Sequence, residues 1–176
     1  MLDRQDLNRM ELSSRKAFLE LVQKYIDESD AVKEHNAKGH DAHNENFLSW
    51  HRYFLTKFEH WLHEQGRDEF IPCPAWNPGN SIPEDFSQKS GTPSDELRTG
   101  NASTPLPLRF TESGDGSTSI SDYSNYTELN DDIENYHNGV HNDLGGIMLT
   151  HQSPKDPIFW PFHSMLTLVY EKWLYR

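Results

Sequence analysis

The chain has 176 residues, of which 34% are apolar and 12% aromatic; that is enough for one continuous core and short of what two independent catalytic domains usually require. We therefore expect residues 1–176 to form a single domain with a small, aromatic-rich core. The formal net charge is −12 and the 16 basic residues are scattered among 28 acidic ones, so the basic stripe of a phosphate-backbone binder is missing and nucleic acid is not an expected partner.

The first residues, MLDRQDLNRMELSSRKAF, lack the apolar centre of a signal peptide, and no stretch approaches the roughly 20 apolar residues that span a bilayer. The expectation is a cytoplasmic protein with no membrane partner, with secretion after loss of an earlier segment left open. From Leu12 to about Val32 the apolar residues Phe18, Leu21, Val22, Tyr25 and Ile26 recur at helical steps, with Ser13 and Ser14 as cap candidates. The stretch that follows, VKEHNAKGHDAHNENF, holds His35, His40 and His43. A second helix is predicted from about Phe47 to Glu64, with Phe54, Leu55, Phe58 and Leu62 on one stripe and Gly66 beyond its end.

From Pro72 to about Tyr123 the composition shifts to Pro, Gly, Ser, Thr and Asp, the signature of a long irregular connection. It contains the lone cysteine, Cys73, which excludes an internal disulfide framework. A third helix runs from roughly Tyr126 to Asp143 and ends at Gly145-Gly146; a fourth begins near Asp156-Pro157 and carries His163, Leu166, Thr167, Tyr170 and Trp173. The expected fold is mainly α: a four-helix bundle with long irregular loops and a site inside it.

The histidines give that site its chemistry. At 100° per residue His51 lies on the same stripe as Phe54, Leu55, Phe58 and Leu62, so its imidazole faces inward and needs a partner. His60 and His63 fall on the far side or the edge of that helix and read as surface residues. His137 and His141, four apart in YHNGVHND, stack two imidazoles on one helix face, and His163 begins another apolar stripe. Three imidazoles per ion, without thiolate or an obvious carboxylate, suit copper, zinc or a related late transition metal rather than calcium or magnesium.

Two stretches carry a family resemblance. His43 followed by Phe47-Leu48-Ser49-Trp50-His51-Arg52 resembles the first copper motif of tyrosinases. The run His137-Asn138-Gly139-Val140-His141, then Gly145-Gly146-Ile147-Met148, then Ser153-Pro154-Lys155-Asp156-Pro157-Ile158-Phe159-Trp160-Pro161-Phe162-His163 resembles the second. The chain is thereby identified as similar to the tyrosinase and polyphenol oxidase family in a short, single-domain form. The resemblance implies two copper ions in a dinuclear type 3 site, with O2 as co-substrate. His137, His141 and His163 would hold the second copper, and His51 would be the last ligand of the first. His35 and His43 match the first copper's other ligands, His43 being preferred to His40, although His43 precedes His51 by eight residues where the family more often has nine.

The implied activity is oxidation of small phenols and catechols to ortho-quinones by O2. The resemblance also implies an Asn that, with a Glu, orients a water near the substrate hydroxyl. Asn138 matches that Asn, and Glu128 and Glu134 are candidates for the Glu, each with a solvated helix face as the alternative. Phe159 and Trp160 either wall the pocket or fill the core, Arg52 is expected in a structural ion pair, and Cys73 as a buried thiol. The competing readings are a catechol or aminophenol oxidase without monophenol hydroxylation, a haemocyanin-like oxygen carrier, and a zinc or iron protein on the same ligands.

Overall fold

The computed structural model describes residues 3–86, 97–111 and 119–176, and of residues 40–42 the backbone only. Five α-helices make up the described fold: α1 (Leu12–Glu28), α2 (Ala31–Ala42), α3 (Phe47–Glu64), α4 (Tyr126–Leu144) and α5 (Phe159–Leu174). The architecture is mainly α, as expected, with one helix more than the apolar pattern indicates. No helix among the described residues is long and apolar enough to cross a membrane.

The extra helix arises where the first was expected to run on to Val32. α1 stops at Glu28, where the Ser29 N–H donates to the Tyr25 carbonyl, and the Ser29 hydroxyl accepts the Ala31 N–H and opens α2. Ser13 and Ser14 do not cap α1: the helix starts from Glu11 without a side-chain cap, and both serines sit exposed in its first turn. The inward face of α2 is Ala31, His35 and Gly39, all buried and four residues apart. A stripe of small residues and histidine has the helical period but no apolar signal.

α3 and α5 pack against each other at the centre. α5 is buried almost all round, from Phe159 through Thr167 and again at Val169 and Tyr170, as a central helix must be. Trp160 on α5 stacks on Phe54 of α3 at 5.4 Å and 18°, and its ring lies 5.0 Å from Phe58 and 5.1 Å from Tyr25 of α1. Each such fully buried aromatic contributes about 1.5–3 kcal/mol relative to exposure, so Trp160 belongs to the core.

α4 is capped by Asn125, whose side chain accepts the Glu128 N–H at 3.1 Å. It ends at Gly145 and Gly146, with φ of 65° and 57°. A Cβ on Gly146 would stand 1.6 Å from the Leu97 carbonyl oxygen, so the loop after α4 packs against backbone that only glycine admits.

The N-terminal segment closes the back of the molecule. The Leu7 N–H donates to the Ala75 carbonyl and the Ala75 N–H to that of Gln5, both at 2.8 Å. Beside them Arg4, with 3% of its side chain exposed, pairs with Glu59 of α3 at 2.8 Å and Glu171 of α5 at 3.4 Å. Arg52 reaches the same Glu171 at 3.3 Å, the expected structural ion pair. Cys73 is fully buried, and burial pushes its thiol pKa up.

Candidate metal centre

Six imidazoles converge where α2, α3, α4 and α5 meet. His35 comes from α2, His43 from its C-terminal end, His51 from α3, His137 and His141 from α4, and His163 from α5. The possible ligand nitrogens of His35, His43 and His51 lie within 4.8 Å of one another, and so do those of His137, His141 and His163. The two triads adjoin: the His51 and His163 rings stack at 4.7 Å and 26°, and His43 is 5.4 Å from His137.

Every Nδ1 faces an acceptor. His35 donates to the His151 carbonyl at 2.7 Å, His43 to Gly39 at 2.7 Å, His51 to Phe47 at 2.9 Å and His163 to Phe159 at 2.9 Å. His141 donates to the Met148 carbonyl, and His137 to the Asn138 side-chain oxygen at 3.0 Å. An imidazole that donates from Nδ1 keeps a lone pair on Nε2. The Nε2 atoms of His35, His51 and His141 are buried and have no hydrogen-bond partner. Those of His137 and His163 face each other at 3.2 Å, which sets lone pair against lone pair. Buried acceptors left unpaired in this way are unfavourable without a cation, so the donor set fits one late transition metal per triad.

Electrostatics agree. Burial, the leading cause, lowers the His35 pKa from 6.5 to about 3 and that of His141 to about 4; His51, His137 and His163 are pushed well below the ordinary value, and His43 is lowered too. Neighbouring imidazoles add to the effect in each case. Neutral imidazoles are the form that ligates. Phe159 lies flat on His163 at 3.8 Å, and the Phe47 ring is 4.6 Å from both His51 and His137. Both rings are buried and belong to the core that backs the imidazoles.

A cavity of about 370 Å³ opens onto both triads, lined by His43, His137, His141, Asn138, Asn142, Leu149, His151 and others. It is within the range of small-molecule sites. Asn138 is therefore at the cavity and tied to His137. Glu134 precedes Asn138 by four residues, on the same face of α4; it is half-buried, and burial with Asp131 nearby raises its carboxyl pKa. Glu128 is exposed in the first turn of α4, bonded to Ser124 at 2.9 Å, and lines a separate cavity with Arg109, Ser119, Asp122 and Tyr123.

His60 and His63 are surface residues, 69% and 68% exposed, beside Glu64 and Asp68. The His40 side chain lies outside the described residues. Three features escaped the sequence pattern. Asn130, fully buried, accepts the Leu48 N–H at 3.1 Å and donates to the Asn44 carbonyl at 2.9 Å, pinning both ends of the short His43-to-His51 connection. Its place between Leu129 and Ile133 on the apolar face of α4 was the available signal, since a buried amide needs partners. The carbonyls of Met148 and His151 hold ligand rings and leave no trace in residue type. His151 itself stands at the cavity mouth, outside any helix.

If His43 completes the first triad, His43→Ala should lower metal stoichiometry by one ion per chain, whereas His40→Ala should leave it unchanged. Metal analysis after dialysis distinguishes the two, and loss on His40→Ala alone would move the assignment to His40.

Comparison with known proteins bears on what this centre is. Residues 22–114 and 84–176 each match the family described as the common central domain of tyrosinase. The tyrosinases of Streptomyces galbus and Streptomyces lincolnensis are both 26% identical to the chain, over 171 and 172 aligned positions, and that of Streptomyces glaucescens is 24% identical over 174. These alignments cover 74% of this chain and 62%, 63% and 63% of the respective relatives. The chain thus spans a little under two thirds of the length of the relatives it matches.

Proposed function

The chain belongs to the family that shares the central domain of tyrosinase, and from that premise we propose that residues 1–176 form one copper-binding domain that oxidises small phenols to ortho-quinones with O2. His35, His43 and His51 hold the first copper and His137, His141 and His163 the second. The observation that carries this is the pair of adjoining triads whose Nδ1 atoms are all committed, with three Nε2 atoms left buried and unpartnered and two more set face to face. When bound, the copper pair would supply the redox chemistry, by which two catechols, giving up two electrons and two protons each, would reduce one O2 to two waters.

The side chains do the rest. Backbone carbonyls fix the tautomers of five ligands, and Asn138 fixes the sixth. Phe159 and Phe47 cover the buried faces of the imidazoles, keeping water from the metals except through the cavity. The cavity reaches ligands of both triads, so a phenol entering it meets both metal positions. The Asn138 oxygen is occupied by His137, which leaves its amide N–H groups to hold a water or the phenol oxygen as the hydroxyl proton leaves. For the carboxylate that shares that proton we favour Glu134, half-buried one turn earlier on α4 with a raised pKa; Glu128 lines a different cavity.

Purified protein loaded with two coppers should consume O2 and form coloured quinone from both a monophenol such as tyramine and its catechol, with a lag on the monophenol. A positioned proton-transfer group contributes roughly 10²- to 10⁴-fold, so Asn138→Ala should depress monophenol hydroxylation at least about tenfold more than catechol oxidation. Catechol turnover alone, even after priming with trace catechol, would reduce the enzyme to a catechol oxidase. Reversible O2 uptake with neither activity would make it a carrier.

A further inference from the structure

We propose that His151 is a specificity-determining residue of this site: its ring receives the substituent of the phenol and favours substituents that hydrogen-bond. The proposal rests on the phenol-oxidising reading above and on a placement that is built rather than incidental. The His151 ring is exposed, yet it sits where a side chain on α2 would otherwise be. A Cβ on Gly39 would stand 2.3 Å from His151 Nδ1 and 2.4 Å from its Cγ. The missing side chain of Gly39 is the berth of the imidazole.

Two further contacts fix the residue. Its ring lies 5.7 Å from that of His43 and nearly parallel to it, at 15°. Its backbone carbonyl accepts the His35 Nδ1–H at 2.7 Å. His151 is therefore tied by ring and by backbone to two members of the first triad, while its side chain lines the cavity beside Leu149, which is 58% exposed. An unsupported surface imidazole would sample several rotamers; this one is held at the mouth.

A phenol whose hydroxyl end reaches the triads presents its far end to that mouth. There His151 offers a ring nitrogen that can donate or accept, with Leu149 as an apolar neighbour. A neutral hydrogen bond formed in a partly water-excluded cavity improves binding by about two- to tenfold. Chemically, the favoured substrates are phenols carrying a carbonyl, carboxamide or hydroxyl substituent over alkyl phenols of the same size.

The test compares 4-hydroxyacetophenone with 4-isopropylphenol, which differ little in size. Calorimetric titration into the zinc-loaded protein reads binding without turnover, and kcat/KM of the copper form reads the same preference during reaction. His151→Phe keeps a ring but no hydrogen-bonding nitrogen, and should cut the preference for the ketone by about three- to tenfold with metal content unchanged. Gly39→Ala leaves His151 in the sequence but fills its berth, so the ring must swing away. It should shift the preference in the same direction while thermal stability holds or rises, because Ala is the better helix residue. An unchanged preference in His151→Phe overturns the proposal, and a shift in His151→Phe without one in Gly39→Ala overturns the berth that positions it. If metal-loaded wild-type protein binds neither phenol and the copper form oxidises neither, the phenol-oxidase reading falls and this proposal with it.

Discussion

Replacing His163 by alanine is expected to remove one of two coppers and to lower phenol oxidation by at least about a thousandfold, the several kcal/mol that metal participation supplies to a barrier. His163 is the only ligand candidate that α5 contributes, and it stacks on both His51 and Phe159. Removing it leaves His137 and His141 as an incomplete pair and opens a gap beside the first triad. The fold should survive, because the packing of α5 depends on Trp160, Phe162, Leu166 and Val169, all buried and untouched. Metal content, far-ultraviolet circular dichroism and O2 consumption measured on one preparation separate these effects. A His163→Ala protein that keeps two coppers and full turnover sinks the assignment, and His141→Ala should behave alike.

The second large effect is on stability, and it needs no enzyme assay. His35 and His141 are depressed in the folded chain to about 3 and about 4, and His51, His137, His163 and His43 are also lowered. In the unfolded chain each would titrate near the ordinary value of about 6.5. As pH falls below that value the unfolded state takes up protons first, so stability is fully present above about 6.5 and is lost on the way down to the folded values. Each unit of displacement corresponds to about 1.4 kcal/mol, and several buried imidazoles acting together draw on the order of several kcal/mol from a total of roughly 5–15. Metal-free protein should therefore lose most of its stability between about pH 6.5 and 4.5, before the bulk of the carboxylates titrate. Metal-loaded protein should resist to lower pH, since protons must displace the ion. Urea midpoints across that range, with and without chelator, test this; a flat metal-free profile would mean the imidazoles are not neutral and buried as the fold places them.

What the sequence disclosed follows from which forces leave a periodic trace. α3 was legible to the residue because Phe54, Leu55, Phe58 and Leu62 repeat at helical spacing, and α4 and α5 because their ends carry glycine and proline punctuation. α2 was not, since its buried face is alanine, histidine and glycine, and the serine that starts it looks like the middle of a longer α1. The six histidines were picked out by spacing and motif, and the fold gathers them. Asn130, His151 and the carbonyls that orient the rings were hidden, because their roles depend on which distant segment folds against them. The surroundings of the two Glu candidates also needed the fold: Glu128 is exposed and borders a separate cavity, and Glu134 is half-buried four residues before Asn138.

The Arg4 ion-pair node bears on the order of assembly. Arg4 joins Glu171 across 167 residues of sequence, and Ser164, beside the α5 ligand candidate, across 160. Contacts of that span close large loops and come late in folding. Until α5 is in place, α3 has α1, α2 and α4 to pack against but lacks Trp160, whose ring stacks on Phe54. The second triad cannot form before α5 docks, because His163 is one of its three candidate ligands, whereas His35, His43 and His51 all precede that helix. Closure of the second triad therefore waits on long-range docking, of α5 against α3 and of the Arg4 segment against both.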